Sequence, residues 1–252
     1  MPTLHFDNHD GCGDYVFSVG HVEFQAVNTA TNAFFLIAGL SLSSSARAAE
    51  ARQSGLLLAA VGFFSAVYHA TSSWGGFLLD IASMAAWAAH LIGCCQTACG
   101  ALGYGSLLPL RGECGAGERR LAVALAAVAG AVLGPFTAFE VFDADPVAVW
   151  NIWANSFLVL ILVGVLPVLA AFRAAGILPR LLPLVAAAIG AIGLGVVCTQ
   201  LILTICVPGH FTKFPLHSLW HGCSAISAYL TVRILDEALS SAPGCRPEVH
   251  RA

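Results

Sequence analysis

A series of long apolar runs, separated by short polar turns, limits what this chain can fold into. Only 10% of its residues are charged and 58% are hydrophobic, whereas soluble domains average about 25% charged residues. Crossing a bilayer takes about 20 apolar residues in a helix. The sequence therefore predicts an all-α, polytopic membrane protein with seven transmembrane helices. Their predicted ranges are 24–44, 55–72, 77–98, 119–138, 147–172, 180–206 and 215–236.

The same pattern divides the chain into three parts. Residues 1–23 are an acidic N-terminal segment without Lys or Arg, residues 24–238 hold the seven helices, and residues 239–252 form a polar tail. The acidic segment has the wrong charge for the start of a signal peptide, so we expect the first helix to be retained. The sequence contains no basic run, which argues against nucleic acid as a partner.

The basic residues are distributed unequally between the two sides of the predicted bundle. With the N-terminus outside, ten of the 11 Lys and Arg residues lie in inner segments, and Lys213 alone lies in an outer one. Cytoplasmic loops of membrane proteins carry an excess of Lys and Arg. The bias predicts an N-terminus outside and a cytoplasmic C-terminus.

Five side chains capable of chemistry lie inside the predicted helices. The second helix carries Ser65 and His69, the third carries Asp80, and the seventh carries His217 and His221. Both i,i+4 pairs share a helix face, and all five residues fall near the outer end of their helices. Because ionisable groups inside a membrane are costly, each is a functional candidate.

Three of these residues have the composition of a catalytic zinc site. Three neutral imidazoles can fill three corners of a tetrahedral zinc site and leave the fourth open for water. That pattern predicts zinc bound by His69, His217 and His221. The alternative is that each histidine only makes an interhelical hydrogen bond, which is the better explanation for a lone histidine such as His90.

Asp80 and Ser65 are the predicted catalytic residues. Asp80 has no basic neighbour in its own helix, so a metal cation is the expected partner for its charge. We assign Asp80 to the water at the open position, as a general base and then a general acid. Ser65 either stabilises the oxyanion and the metal ligands or bonds its own i−4 carbonyl.

These motifs resemble those of the alkaline ceramidases, within a superfamily of seven-span zinc-dependent hydrolases. The resemblance lies in S-x-x-x-H at Ser65 and His69, in Asp80 eleven residues later, and in H-x-x-x-H at His217 and His221. It implies a zinc-dependent hydrolase that cleaves the amide bond of an N-acyl sphingoid base. Its expected partner is a ceramide-like lipid of the surrounding bilayer, and the sequence identifies no protein partner.

The N-terminal part matches the family less well. Asn28, Thr29 and Asn32 resemble the family's N-T-x-S-N motif, but Gln25 stands where members often carry Glu, a residue that some use to bind calcium. Three carboxylates still offer the oxygen ligands that calcium prefers, unless they are only a solvated acidic end. These candidate calcium ligands are Asp10, Asp14 and Glu23.

Two other functions remain open from the sequence. A receptor of the progestin and adipoQ type would share the three histidines, but its Asp usually lies farther from the helix-two histidine and its N-terminus is inside. A transporter would place ionisable groups along a path across the bilayer, whereas here they cluster at one end.

The end of the bundle that carries these groups faces the ER or Golgi lumen or the periplasm, where Cys12 and Cys206 could form a disulfide.

Overall fold

The computed structural model of the chain describes residues 3–7, 14–19, 22–102, 166, 168–205 and 216–241. These residues form a small N-terminal sheet followed by long helices. The predicted fourth helix, most of the fifth and the tail from residue 242 lie outside the described residues. The count of seven spans therefore stays a prediction.

The N-terminal segment is a three-stranded antiparallel sheet, which corrects the all-α prediction for this part of the chain. Its strands are β1 (Thr3–Asp7), β2 (Asp14–Val19) and β3 (Val22–Gln25), in the order β1-β2-β3. Apolar and polar residues alternate along β1 and β3, the period expected of strands. The strands are too short for this alternation alone to identify them in the sequence.

The described helices are consistent with a membrane protein. They are α1 (Ala26–Thr31), α2 (Ala33–Ser45), α3 (Ala49–Thr71), α4 (Trp74–Ala101), α5 (Leu178–Ile205) and α6 (Leu216–Ser241). Within the described residues, four stretches are long and apolar enough to cross a membrane: 26–45, 49–71, 75–101 and 178–198. Residues 168–174, at the end of the predicted fifth span, are also helical. Most boundaries agree with the predicted ones within a few residues.

Close helix packing fixes the first span against the second. A Cβ atom on Gly55 of α3 would lie 2.7 Å from the carbonyl oxygen of Gly39 on α2, and one on Gly62 would lie 2.8 Å from the backbone nitrogen of Leu36. Only glycine allows backbones to approach this closely. α6 in turn contacts α1, α2, α3, α4 and α5, so it is the central helix of the described bundle.

A buried carboxylate fixes one end of this bundle. Asp236 near the end of α6 is 0% exposed, and its Oδ1 accepts hydrogen bonds from the backbone N–H groups of Arg47 and Ala48, both at 2.8 Å. These donors lie just before α3, where a negative charge also complements the helix dipole. The Arg47 side chain bonds Glu237 at 2.7 Å, and this hydrogen bond and the Glu237 charge raise the pKa of Arg47.

We expect Asp236→Ala to lower the free energy of unfolding by about 2–3 kcal/mol, because it leaves two backbone donors without their acceptor. Equilibrium unfolding in mixed detergent micelles, followed by circular dichroism, measures this loss. The control is Glu237→Gln, which removes an exposed ion pair and should change stability by less than about 1 kcal/mol. Equal effects of the two substitutions would contradict the anchoring role of Asp236.

Candidate metal centre

A tight turn brings two of the candidate residues to the same depth. α3 ends with Ser72 in the left-handed region at φ 46°, and the Ser73 side chain caps α4 by accepting a hydrogen bond from the Gly76 N–H at 3.0 Å. The chain reverses within these two residues. Ser65 lies six residues before the end of α3, and Asp80 lies six residues after the start of α4.

Three histidines from two helices converge at this end of the bundle. His69 lies in the last turn of α3, and His217 and His221 lie in the first two turns of α6. One ligand nitrogen from each ring can be chosen so that all three lie within 4.8 Å of one another. The ring centroids of His217 and His221 are 4.6 Å apart, and those of His69 and His221 are 5.1 Å apart. This cluster could hold a metal ion.

Hydrogen bonds at Nδ1 of His69 and of His221 leave the Nε2 atom of each ring for a metal. His69 Nδ1 lies 2.6 Å from Gln25 Oε1, and His221 Nδ1 lies 3.1 Å from Thr31 Oγ1. The Thr31 hydroxyl donates to backbone carbonyls of α1, so it accepts from the His221 ring. Both Nδ1 atoms therefore carry hydrogen, and both Nε2 atoms present a lone pair, as metal-binding histidines do.

A chain of side-chain hydrogen bonds connects these partners to α6. Ser218, next to His217, donates to Asn28 Oδ1 at 2.7 Å, and Asn28 Nδ2 donates to Gln25 Oε1 at 3.1 Å. Asn28 is 3% exposed. Asn28 therefore joins Gln25, at the end of β3, to Ser218 on α6. Sequence reasoning gave no role to Thr31 or Ser218 and treated Gln25 only as a departure from the family.

Asp80 and Ser65 form a second polar pair beside the cluster. Both are buried, at 7% and 5% exposure. The Ser65 hydroxyl is placed to donate a hydrogen bond to the Asp80 carboxyl group, and Ser65 precedes His69 by one helical turn. Among the described residues, Asp80 Oδ1 has no hydrogen-bond partner. One carboxylate oxygen thus remains available for a water or a substrate.

The predicted calcium ligands are only partly described. Asp14 pairs with Asp7 at one end of the sheet, whereas Glu23 pairs with Ser18 on β2. Asp14 and Ser18 are four residues apart, about 13 Å along the strand. Asp10 lies outside the described residues, and so do Cys12 and Cys206. The calcium site and the disulfide stay predictions.

His90 has the structural role that its isolation predicted. Its Nε2 lies 3.2 Å from the backbone carbonyl oxygen of Glu50, across the interface between α4 and α3. The ring nitrogen must donate to this oxygen, so the bond joins the two helices. His90 therefore provides a histidine outside the metal cluster for comparison with His69, His217 and His221.

The described helices and the histidine cluster define a membrane protein with a candidate metal centre. The sequence profile of the family described as Ceramidase matches residues 8–243 of the chain. The protein belongs to this family. No individual curated protein matches the sequence.

Proposed function

We propose that this protein is a zinc-dependent amidase that hydrolyses the N-acyl bond of ceramide-like lipids to a sphingoid base and a free fatty acid. The observation that carries the proposal is the convergence of His69, His217 and His221, with ligand nitrogens within 4.8 Å of one another. Family membership supports the reaction class. The proposal covers the three histidines, Asp80 and Ser65, and the position of each residue indicates its role.

The donor set fits zinc better than calcium or magnesium. Imidazole nitrogen is a preferred ligand of zinc, whereas the two hard cations take oxygen ligands. His69, His217 and His221 would bind the ion and leave a fourth position open. When bound there, zinc polarises a carbonyl group and lowers the pKa of water to about 7.

Asp80 would move the proton in this reaction. Its unpaired Oδ1 accepts a proton from the attacking water, and the same oxygen then delivers that proton to the amine nitrogen as the C–N bond breaks. One carboxyl group thus acts as general base and then as general acid. The proton ends on the sphingoid amine and the hydroxyl oxygen ends on the fatty acid, so the atoms balance as in any amide hydrolysis.

Ser65 would hold Asp80 in place for this transfer. Its hydroxyl is positioned to bond the carboxyl group, which leaves the other carboxylate oxygen to face the reaction. The same hydroxyl lies one helical turn from His69. In its alternative role, it would stabilise the oxyanion that develops from the amide carbonyl. Both functions depend on the antiparallel packing of α3 and α4.

The site would open toward the non-cytoplasmic side of the membrane. His217 and His221 lie at the start of α6, whereas Arg233 lies near its end, beside Asp236 and the α2–α3 connection that carries Arg47. Arg47 and Arg233 therefore lie at the opposite end of α6 from the histidine cluster. With the arginines inside, the cluster faces the ER or Golgi lumen or the periplasm.

We expect purified, zinc-loaded protein to release fatty acid and sphingoid amine in equal amounts from a ceramide. Chromatography and mass spectrometry of the lipids measure both products, across a panel that also contains other N-acyl amides. An N-alkyl analogue without the carbonyl group is the control, and it should stay intact. If the zinc-loaded protein cleaves no N-acyl lipid in the panel, the receptor of the progestin and adipoQ type becomes the better assignment.

A further inference from the structure

The short helix α1 and the residue before it contact both helices that carry the histidine cluster. Gln25 bonds His69 on α3, Thr31 bonds His221 on α6, and Asn28 bonds Ser218 on α6. Gln25 is also the last residue of β3. The N-terminal sheet is thus joined by a single residue to a candidate metal ligand 44 positions away in the sequence.

We propose that Gln25 is a positioning residue of the metal centre, which holds the His69 ring so that Nε2 faces the ion. The inference rests on the zinc site of the proposed function and extends it to the N-terminal sheet. A partner that accepts the outer N–H of a metal-binding histidine fixes its tautomer and its orientation, and loss of such a partner typically weakens metal binding about 10- to 100-fold.

The main chain of Gln25 is held on two sides, which fixes where its side chain starts. In the sheet, Gln25 pairs with Val16 of β2. On the helix side, the Thr29 hydroxyl donates to the Gln25 carbonyl oxygen at 2.7 Å. With the backbone fixed, only the side-chain torsions of Gln25 lose freedom when the side chain bonds His69. β3 also packs directly against α3, the helix that carries His69.

The amide of Gln25 is oriented by its neighbours rather than by His69 alone. Gln25 Oε1 accepts hydrogen bonds from both Asn28 Nδ2 and His69 Nδ1, so both of its partners are donors. A carboxylate would accept the same two bonds, whereas an aliphatic side chain of similar length would accept neither. Substitution by Leu therefore removes both hydrogen bonds and keeps a side chain of similar length, whereas substitution by Glu keeps the acceptor. These two variants separate the effect of the hydrogen bond from that of side-chain volume.

The test compares Gln25→Leu, Gln25→Glu and the wild-type full chain in detergent. Zinc affinity is measured by competition with a chromophoric chelator, without lipid substrate. We expect Gln25→Leu to weaken zinc binding about 10- to 100-fold, and Gln25→Glu to stay within about threefold of the wild type because it restores the acceptor. Unchanged affinity of Gln25→Leu would overturn the proposal.

A matched control removes an amide from a different part of the bundle. Gln96 on α4 is 6% exposed and lies 16 residues beyond Asp80, about 24 Å along the helix. Gln96→Leu makes the same chemical change and should leave zinc affinity unchanged. Because no substrate is present, the result decides the role of Gln25 even if the protein fails to cleave ceramide.

Thermal unfolding gives a second readout that a merely structural residue would not move. Zinc raises the unfolding midpoint by an amount that depends on its affinity for the folded state. We expect Gln25→Leu to reduce this increment, in addition to any drop in the metal-free midpoint that comes from the lost bond to Asn28 Nδ2. Equal losses in the metal-free and zinc-loaded midpoints, with the increment preserved, would show that Gln25 only supports the fold.

Discussion

Replacing His221 by alanine is expected to abolish both metal binding and amide hydrolysis. The wild-type protein should hold about one zinc per chain, because three imidazoles and one open position complete a four-coordinate site. Two imidazoles bind zinc far more weakly, so the variant should retain less than about a tenth of the metal after dialysis. The rate of ceramide cleavage should fall at least 1000-fold, roughly 4 kcal/mol of transition-state stabilisation.

The matched control for this variant is His90→Ala. It also removes an imidazole from a helix, but His90 bonds the Glu50 carbonyl and lies outside the cluster. We expect it to keep its zinc and its activity, even where it lowers the stability of the α3–α4 interface. Metal analysis by mass spectrometry decides the comparison. Full zinc occupancy in His221→Ala would show that the ion binds elsewhere.

Asp80→Asn should separate metal binding from catalysis. The amide keeps the size and polarity of the side chain but cannot accept the proton of the attacking water. Because Asp80 is not part of the histidine cluster, we expect the variant to retain its zinc. Loss of a general base typically costs about 100- to 10,000-fold in rate. The initial rate of sphingoid amine release measures this loss.

Ser83→Ala is the control for Asp80→Asn. The Ser83 hydroxyl donates to the backbone carbonyl of Asp80 at 2.8 Å, so its removal disturbs the same turn of α4 and leaves the carboxyl group intact. We expect activity within about threefold of the wild type, because a hydrogen bond from a hydroxyl group to a backbone carbonyl contributes only about 1 kcal/mol. Wild-type turnover in Asp80→Asn would remove Asp80 from the mechanism.

The helices and the three histidines were predictable because their signals are local. Long apolar runs indicate spans, and i,i+4 spacing places two side chains on one helix face whatever the rest of the fold does. The depth of His69 and His217 followed from counting residues to the predicted helix ends. Comparing those depths was enough to predict that residues about 150 positions apart meet.

The partners of the histidines could not be predicted in this way. Gln25 and Thr31 lie 44 and 190 positions from the rings that they bond, and an amide or a hydroxyl group has no spacing rule that identifies its partner. Asp236 was missed for a similar reason. Its hydrogen bonds go to backbone N–H groups, which every residue except proline carries.

The N-terminal sheet shows a different limit. Each strand is only four to six residues long, too short for alternation alone to distinguish a strand from a loop. Pairing between the strands and packing of β3 on α3 stabilise a conformation that no single strand specifies. Through Gln25, this segment is part of the candidate site, although its sequence suggested only a charged end or a calcium site.

Zinc content and the initial rate of ceramide cleavage, measured on the same purified preparations, test the central claim most directly. The account predicts a three-way pattern: the wild type holds about one zinc and cleaves ceramide, Asp80→Asn holds zinc and cleaves little, and His221→Ala does neither. Ceramide cleavage by His221→Ala at the wild-type rate would contradict the account.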